Sequence, residues 1–181
     1  TLFAVPFKLD ILEVSGTPVP MLEHVSFSPI ANGGAQVDFS KSGAIVYRSG
    51  EDVGQTTVQW MDSTGTMRPL LAKPGYYGHV SLSPDGTRLA LDVIEGFKPD
   101  IWLYEWKRDT MTRLTSGGDF KNAIWSPDGR YILFGSSTGM YWTRADGSGS
   151  PQLLIPSKRL SVPWSFTPDG KQLAYQKISD G

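Results

Sequence analysis

The pentapeptide Trp125-Ser126-Pro127-Asp128-Gly129 recurs along the chain. It is preceded by Leu82-Ser83-Pro84-Asp85-Gly86 and followed by Phe166-Thr167-Pro168-Asp169-Gly170, and a degenerate copy stands at Phe39-Ser40-Lys41-Ser42-Gly43. The closing glycines at 43, 86, 129 and 170 are spaced 43, 43 and 41 residues apart. A period of roughly 40–45 residues restricts the chain to a propeller or a solenoid, in which each repeat buries its apolar face against the next.

The repeated residues specify a hairpin. Pro presets φ for the second position of a type I turn, Asp bonds its own backbone at the third, and Gly supplies the positive φ that closes the turn. The flanks alternate like strands: Ala123-Ile124-Trp125 before the turn, Tyr131-Ile132-Leu133-Phe134 after it. Three aspartates at a fixed period also suggest a ring of acids or metal ligands. Turn chemistry accounts for each of them through its Pro and Gly neighbours, and no metal or other cofactor is expected.

Counting strands A to D from the inside outward divides the chain into about four blades' worth of sequence. Three complete blades are expected at 35–77, 78–120 and 121–161, with half-blades at 1–34 and 162–181. No segment keeps an i, i+3, i+4, i+7 apolar stripe, so helix is not expected. Four short antiparallel strands per repeat describe a blade of an all-β propeller. The residue before each turn (Phe39, Leu82, Trp125, Phe166) is expected to fill the space between blades. Residues 2–7 and 19–22 read as strands C and D of one blade, with a loop over 8–18, and 162–177 as strands A and B of another. Their open edges are templates for association. They pair within one chain, closing a ring, or between two chains as a homodimer, the arrangement slightly favoured here; a third alternative is a piece of a larger propeller whose other blades lie outside this sequence.

Composition narrows the function. Net charge is −1 with no basic block, so neither nucleic acid nor an anionic membrane is the expected partner. The chain has no Cys, which removes thiol chemistry and disulfides. No apolar run approaches the ~20 residues that span a bilayer. The chain begins in mid-pattern at Thr1-Leu2-Phe3, so any targeting signal would lie outside it.

Trp125 to Phe134, reading Trp-Ser-Pro-Asp-Gly-Arg-Tyr-Ile-Leu-Phe, resembles the TolB-type propeller repeat, and Asp100-Ile101-Trp102-Leu103-Tyr104 resembles its following strand. The opening Leu2 to Phe7 with Val19 to Glu23 is similar to propeller regions appended to large bacterial Ser/Thr kinases and regulators. The resemblance implies a periplasmic or otherwise extracytoplasmic, non-catalytic scaffold or sensor module with a protein partner. Two alternatives stay open. One is the substrate-gating propeller of a prolyl-oligopeptidase-like peptidase without its hydrolase domain; the other is a small-ligand or glycan receptor.

Gly135-Ser136-Ser137-Thr138-Gly139 matches the G-x-S-x-G nucleophile pattern. That motif needs a strand-to-helix turn with acid and His downstream, whereas here both histidines lie upstream and the segment reads as a hairpin. The candidate binding residues are those that start the innermost strands, where a propeller narrows to its channel. They are Gln36, Tyr77, His79, Lys121, Asn122 and Trp164.

Overall fold

Strand propensity and turn chemistry meet at the repeated hairpin, and the sheets grow outward from it. The computed structural model describes residues 1–25, 37–40, 43–49, 55–95, 98–117 and 119–178. Every described element is a strand. The N-terminal segment forms β1 (Leu2–Ala4), β2 (Phe7–Lys8), β3 (Glu13–Val14) and β4 (Val19–Leu22). Blade 1 is β5 (Val37–Phe39), β6 (Ile45–Ser49), β7 (Thr56–Met61) and β8 (Met67–Gly75). Blade 2 is β9 (Tyr77–Leu82), β10 (Leu89–Ile94), β11 (Pro99–Glu105) and β12 (Thr110–Arg113). Blade 3 is β13 (Lys121–Trp125), β14 (Tyr131–Ser136), β15 (Gly139–Arg144) and β16 (Gln152–Pro156). A two-stranded half-blade follows, β17 (Ser161–Phe166) and β18 (Leu173–Lys177). Each blade is an antiparallel meander, so the architecture is an all-β propeller fragment.

The turns form as their residues dictate. In the blade 3 copy, Ser126 Oγ donates to Asp128 Oδ1 at 2.6 Å, Gly129 N donates to Ser126 O at 2.8 Å, and Gly129 has φ +70°. The copies at Gly86 and Gly170 repeat these bonds, with φ of +64° and +71°. The turns also touch one another. A Cβ on Gly170 would come within 3.1 Å of Pro127, and one on Gly129 within 3.7 Å of Pro84. Pro and Gly thus stack turn on turn around one rim.

Strand B of the central blade is buried on both sides. Period-2 alternation sends Leu89 and Leu91 into the core shared with blade 1 and Ala90 into the core shared with blade 3. Each fully buried Leu or Val contributes about 1.5–3 kcal/mol relative to exposure. Aromatic edges add geometry: Trp60 of blade 1 meets Trp106 of blade 2 at 5.1 Å and 85°. Trp125 packs between blades 2 and 3, its indole Nε1 donating to Ser81 O at 3.1 Å, with the Arg88 guanidinium 4.7 Å from the ring centroid. Leu82 is buried between blades 1 and 2, and Phe166 packs between blade 3 and the half-blade.

Three local expectations are corrected. Phe39 is 59% exposed rather than buried between blades. It precedes the degenerate turn, and no described inner strand lies on its far side. The expected loop over 8–18 contains a short ladder, Phe7 opposite Val14 and Lys8 opposite Glu13. Pro6 interrupts the hairpin without ending it, because its carbonyl accepts from Ser15 N at 2.7 Å. The outer strand of blade 1, expected over 68–72, runs from Met67 to Gly75. Among the described residues the two half-blades do not pair. β1 bonds β4, while β18 bonds β17, which joins blade 3 through Ser161 opposite Ser136.

Candidate functional site

The inner strands β5, β9, β13 and β17 lie side by side in chain order. Together they line a cleft of about 410 Å³ that runs from mid-strand to the rim of stacked turns. Asp38, Phe39, His79, Trp125, Trp164 and Phe166 are among its walls, with hydroxyls from Ser81 and Ser165. The pairings of β9, β13 and β17 with strand B each carry an irregularity, between Leu91 and Val93, Lys121 and Ile124, and Pro163 and Ser165, whereas β5 pairs with β6 in continuous register. An extra residue of this kind re-aims the side chains beside it. In β17 the extra residue is Trp164, which the irregularity places on the cleft.

Of the expected binding residues, His79 and Trp164 line the cleft. Tyr77, Lys121 and Asn122 start their strands at the end away from the turn rim and are not part of its wall. Tyr77 is buried, its hydroxyl donating to Lys73 O at 3.0 Å. Asn122 is buried in a left-handed conformation at φ +57°. Lys121 pairs with Asp119 at 3.1 Å. Gln36 lies outside the described residues. The Ser137 motif is the hairpin between β14 and β15, with Ser136 opposite Gly139 and Ser137 exposed.

The electrostatics are set by burial. Desolvation pushes the His79 imidazole down to about 4, so it is neutral at physiological pH. Asp38 is raised by burial, against the N–H groups of Leu82 at 2.6 Å and Phe39 at 2.8 Å, which favour its carboxylate. Asp92 is pushed up to about 7 by burial, although the backbone N–H groups of Asn122 at 2.9 Å, Ala123 at 3.4 Å and His79 at 3.4 Å oppose that shift. The cleft therefore offers aromatic faces, hydroxyls and a neutral imidazole, with no Lys or Arg among the described residues of its wall. That chemistry suits a neutral or weakly polar chain better than a polyanion.

The sequence reading missed the groups that join one blade to the next. Arg48 Nη1 donates to Tyr77 O at 2.6 Å, and Asp92 accepts from the N–H of Asn122. Gly135 lets the Ser161 carbonyl approach so closely that a Cβ would overlap it. All three occupy the same place on strand B, allowing for the one-residue-shorter turn of blade 1. Asp92 and Gly135 each stand six residues after their turn glycine, and Arg48 five. Four unlike residues (Gln176 is the fourth) hid the position, although counting from the glycines finds it.

No protein-family model matches the chain. Among curated proteins it is 32% identical over 145 residues to the uncharacterized protein Atu1656 of Agrobacterium fabrum, covering 76% of this chain and 48% of that protein. It is 35% identical over 122 residues to the Tol-Pal system protein TolB of Anaeromyxobacter dehalogenans, covering 65% of this chain and 28% of TolB. The chain thus spans less than half the length of these relatives. Among solved structures, TolB from Acinetobacter baumannii superimposes with a TM-score of 0.61 at 22% identity, over 92% of this chain and 41% of that one. A gluconolactonase from Xanthomonas campestris gives 0.62 at 14% identity, over 77% and 52%. Both of these structural likenesses concern the fold alone, because enzymes and binding proteins share this architecture. Repeat spacing, blade topology and sequence similarity meet on one answer: the chain is a TolB-like β-propeller protein.

Proposed function

We propose that the chain is a non-catalytic binding module whose inner cleft receives a segment of a partner protein. One observation carries this reading: all four inner strands contribute to one cleft, and its exposed or half-buried aromatics, Phe39 and Trp164, flank hydroxyls and a neutral His79. Aromatic anchors in a concave site are the usual sources of binding energy at protein interfaces. Three relatives bear the name of the Tol-Pal system, so purified Pal is the first partner to titrate by calorimetry. Saturable binding should weaken about tenfold or more in Trp164→Ala, in line with an anchor residue, and stay unchanged in Lys107→Ala on the outer hairpin. Binding indifferent to both Trp164→Ala and Phe39→Ala would remove the cleft from the reading, and no binding at all would remove Pal.

The non-catalytic part has its own test. Ester, lactone and proline-peptide substrates should show no turnover, and turnover abolished by Ser137→Ala would overturn it. A second reading, a small-ligand receptor, draws on the cleft's size, about 410 Å³, which falls in the range of small-molecule sites. A thermal shift with one sugar of a panel, lost in Trp164→Ala, would favour that reading.

A further inference from the structure

Blades 1 and 2 meet beside their turns in a pocket of about 420 Å³, whose walls include Ala44, Trp60, Arg68, Tyr104 and Trp106. Blades 2 and 3 meet at the corresponding place in a pocket of about 180 Å³, whose walls include Arg88, Leu103, Thr112 and Ala145. These positions match one for one. Ser40 N donates to Ala44 O at 2.8 Å, and Ser83 N donates to Arg88 O at 2.8 Å, so Ala44 and Arg88 close the same hairpin. Trp60 pairs with Val46 and Arg68, just as Leu103 pairs with Ala90 and Thr112. Trp106 follows β11 directly, and Ala145 follows β15.

The match shows why one pocket is large and the other small. Between blades 2 and 3, Arg88 closes the gap. Its guanidinium lies 4.7 Å from the Trp125 ring centroid, and its Nη1 donates to Ala145 O at 3.0 Å. Between blades 1 and 2 the same place holds Ala44, whose methyl group cannot reach across. Leu103 and Ala145 give way to Trp60 and Trp106, whose rings meet edge to face at 5.1 Å and 85°. The cation stands at the mouth instead: Arg68, opposite Trp60, is exposed. Among the described residues Arg68 forms no ion pair. The acids of the two adjoining C–D hairpins are already engaged. Asp62 accepts from Thr64 N, Thr64 Oγ1 and Thr66 N, Asp109 accepts from the Tyr104 hydroxyl, and Glu105 pairs with Arg108.

We propose that the pocket between blades 1 and 2 binds a small aromatic carboxylic acid, its ring against Trp60 and Trp106 and its carboxylate on the Arg68 guanidinium. Indole walls favour a planar ring in offset or edge-to-face contact. A guanidinium without a partner favours a carboxylate, which it can hold through two parallel hydrogen bonds. The volume is in the range of small-molecule sites. Of the described residues only Ser40 lines both this pocket and the inner cleft, so the two sites can be told apart.

The test titrates hydrocinnamate into the protein and follows the indole N–H signals of the six tryptophans by NMR. The signals of Trp60 and Trp106 should move to saturation, while that of Trp164, on the inner cleft, stays. Phenethylamine, which carries the same ring with the opposite charge, should not bind. Arg68 is exposed, so Arg68→Gln should melt like the parent and bind about tenfold more weakly, as expected when a hydrogen bond to a charged group is lost. Ala44→Met places an unbranched side chain where Arg88 lies in the next junction. It should abolish binding without lowering the melting temperature. Binding that does not saturate, equal affinity for the acid and the amine, or shifts centred on Trp164 would each overturn the proposal. So would parental affinity in Arg68→Gln, or in an Ala44→Met protein that melts like the parent.

Discussion

Asp128 and Gly129 divide the work of one turn. The Asp128 carboxylate accepts from Ser126 Oγ and from Arg130 N and Nε, and the Ser126 bond foremost holds it down at about 2. Gly129 supplies a backbone angle that a β-branched residue reaches only with strain of about 1–3 kcal/mol. Thermal melts should therefore place Gly129→Val below Asp128→Asn, and the reverse order would refute the turn argument. A second residue-scale effect joins His79 and Asp92. Asp92 folds with a pKa of about 7 against 3.8, so its protonated form supports the fold fully below about 4, and that support is lost as pH rises through 7. His79 folds at about 4 against 6.5, so its neutral form supports the fold above 6.5, and that support is lost as pH falls through 4. Between about 4 and 6.5 the two slopes, each near 1.4 kcal/mol per pH unit as an upper bound, oppose one another. Denaturant titrations should show a nearly flat parent there, Asp92→Asn gaining stability with rising pH, and His79→Gln losing it. Parallel profiles in all three proteins would show that neither group is coupled to folding.

At the scale of the element, the join between blades is a position rather than a residue type. Arg48 uses a guanidinium, Asp92 a carboxylate and Gly135 the absence of a side chain, and each fixes the first strand of the following blade. Gly135→Ala should force β17 off blade 3, at a cost of about 1–3 kcal/mol typical of overpacking. Amide exchange should then quicken in β17 and β18 while β9 to β12 stay protected; uniform protection would mean that Ser161 is held by something else. The strands around each turn were legible because apolar alternation and turn residues agree there. The irregularities in the inner strands were not, since an extra residue such as Trp164 leaves no mark in a pattern of two. The irregularity in β17 puts Trp164 on the cleft, while Tyr77, Lys121 and Asn122 stay off its wall because they lie at the opposite end of their strands. Phe39 was misjudged because burial depends on a neighbouring strand, which a single repeat does not reveal.

At the scale of the whole molecule, blade 2 is, among the described residues, the blade packed on both faces by complete blades, whereas the half-blades at either end leave large apolar side chains exposed. Stability in such an array is a sum of unit and interface contributions. Hydrogen exchange should accordingly be slowest in β10 and fastest in β1 to β4 and β18, and equal protection throughout would contradict the modular picture. The glycine spacing narrowed the fold class to a propeller or a solenoid and the four strands per repeat selected the propeller, while the pairing of the end strands lies in surfaces that no repeat count describes. One further consequence follows from the links between blades. Asp38 holds Leu82 N, Arg48 holds Tyr77 O, Arg88 holds Ala145 O, and Asp92 holds Asn122 N. In these four the side chain belongs to the earlier blade and the backbone to the later one, while the Trp125 indole, donating back to Ser81 O, runs the other way. During synthesis on the ribosome, where folding proceeds from the N-terminus, each holding group is thus made before the strand it will hold. A nascent blade finds its docking contacts already in place, and the propeller can be laid down in the order in which it is translated.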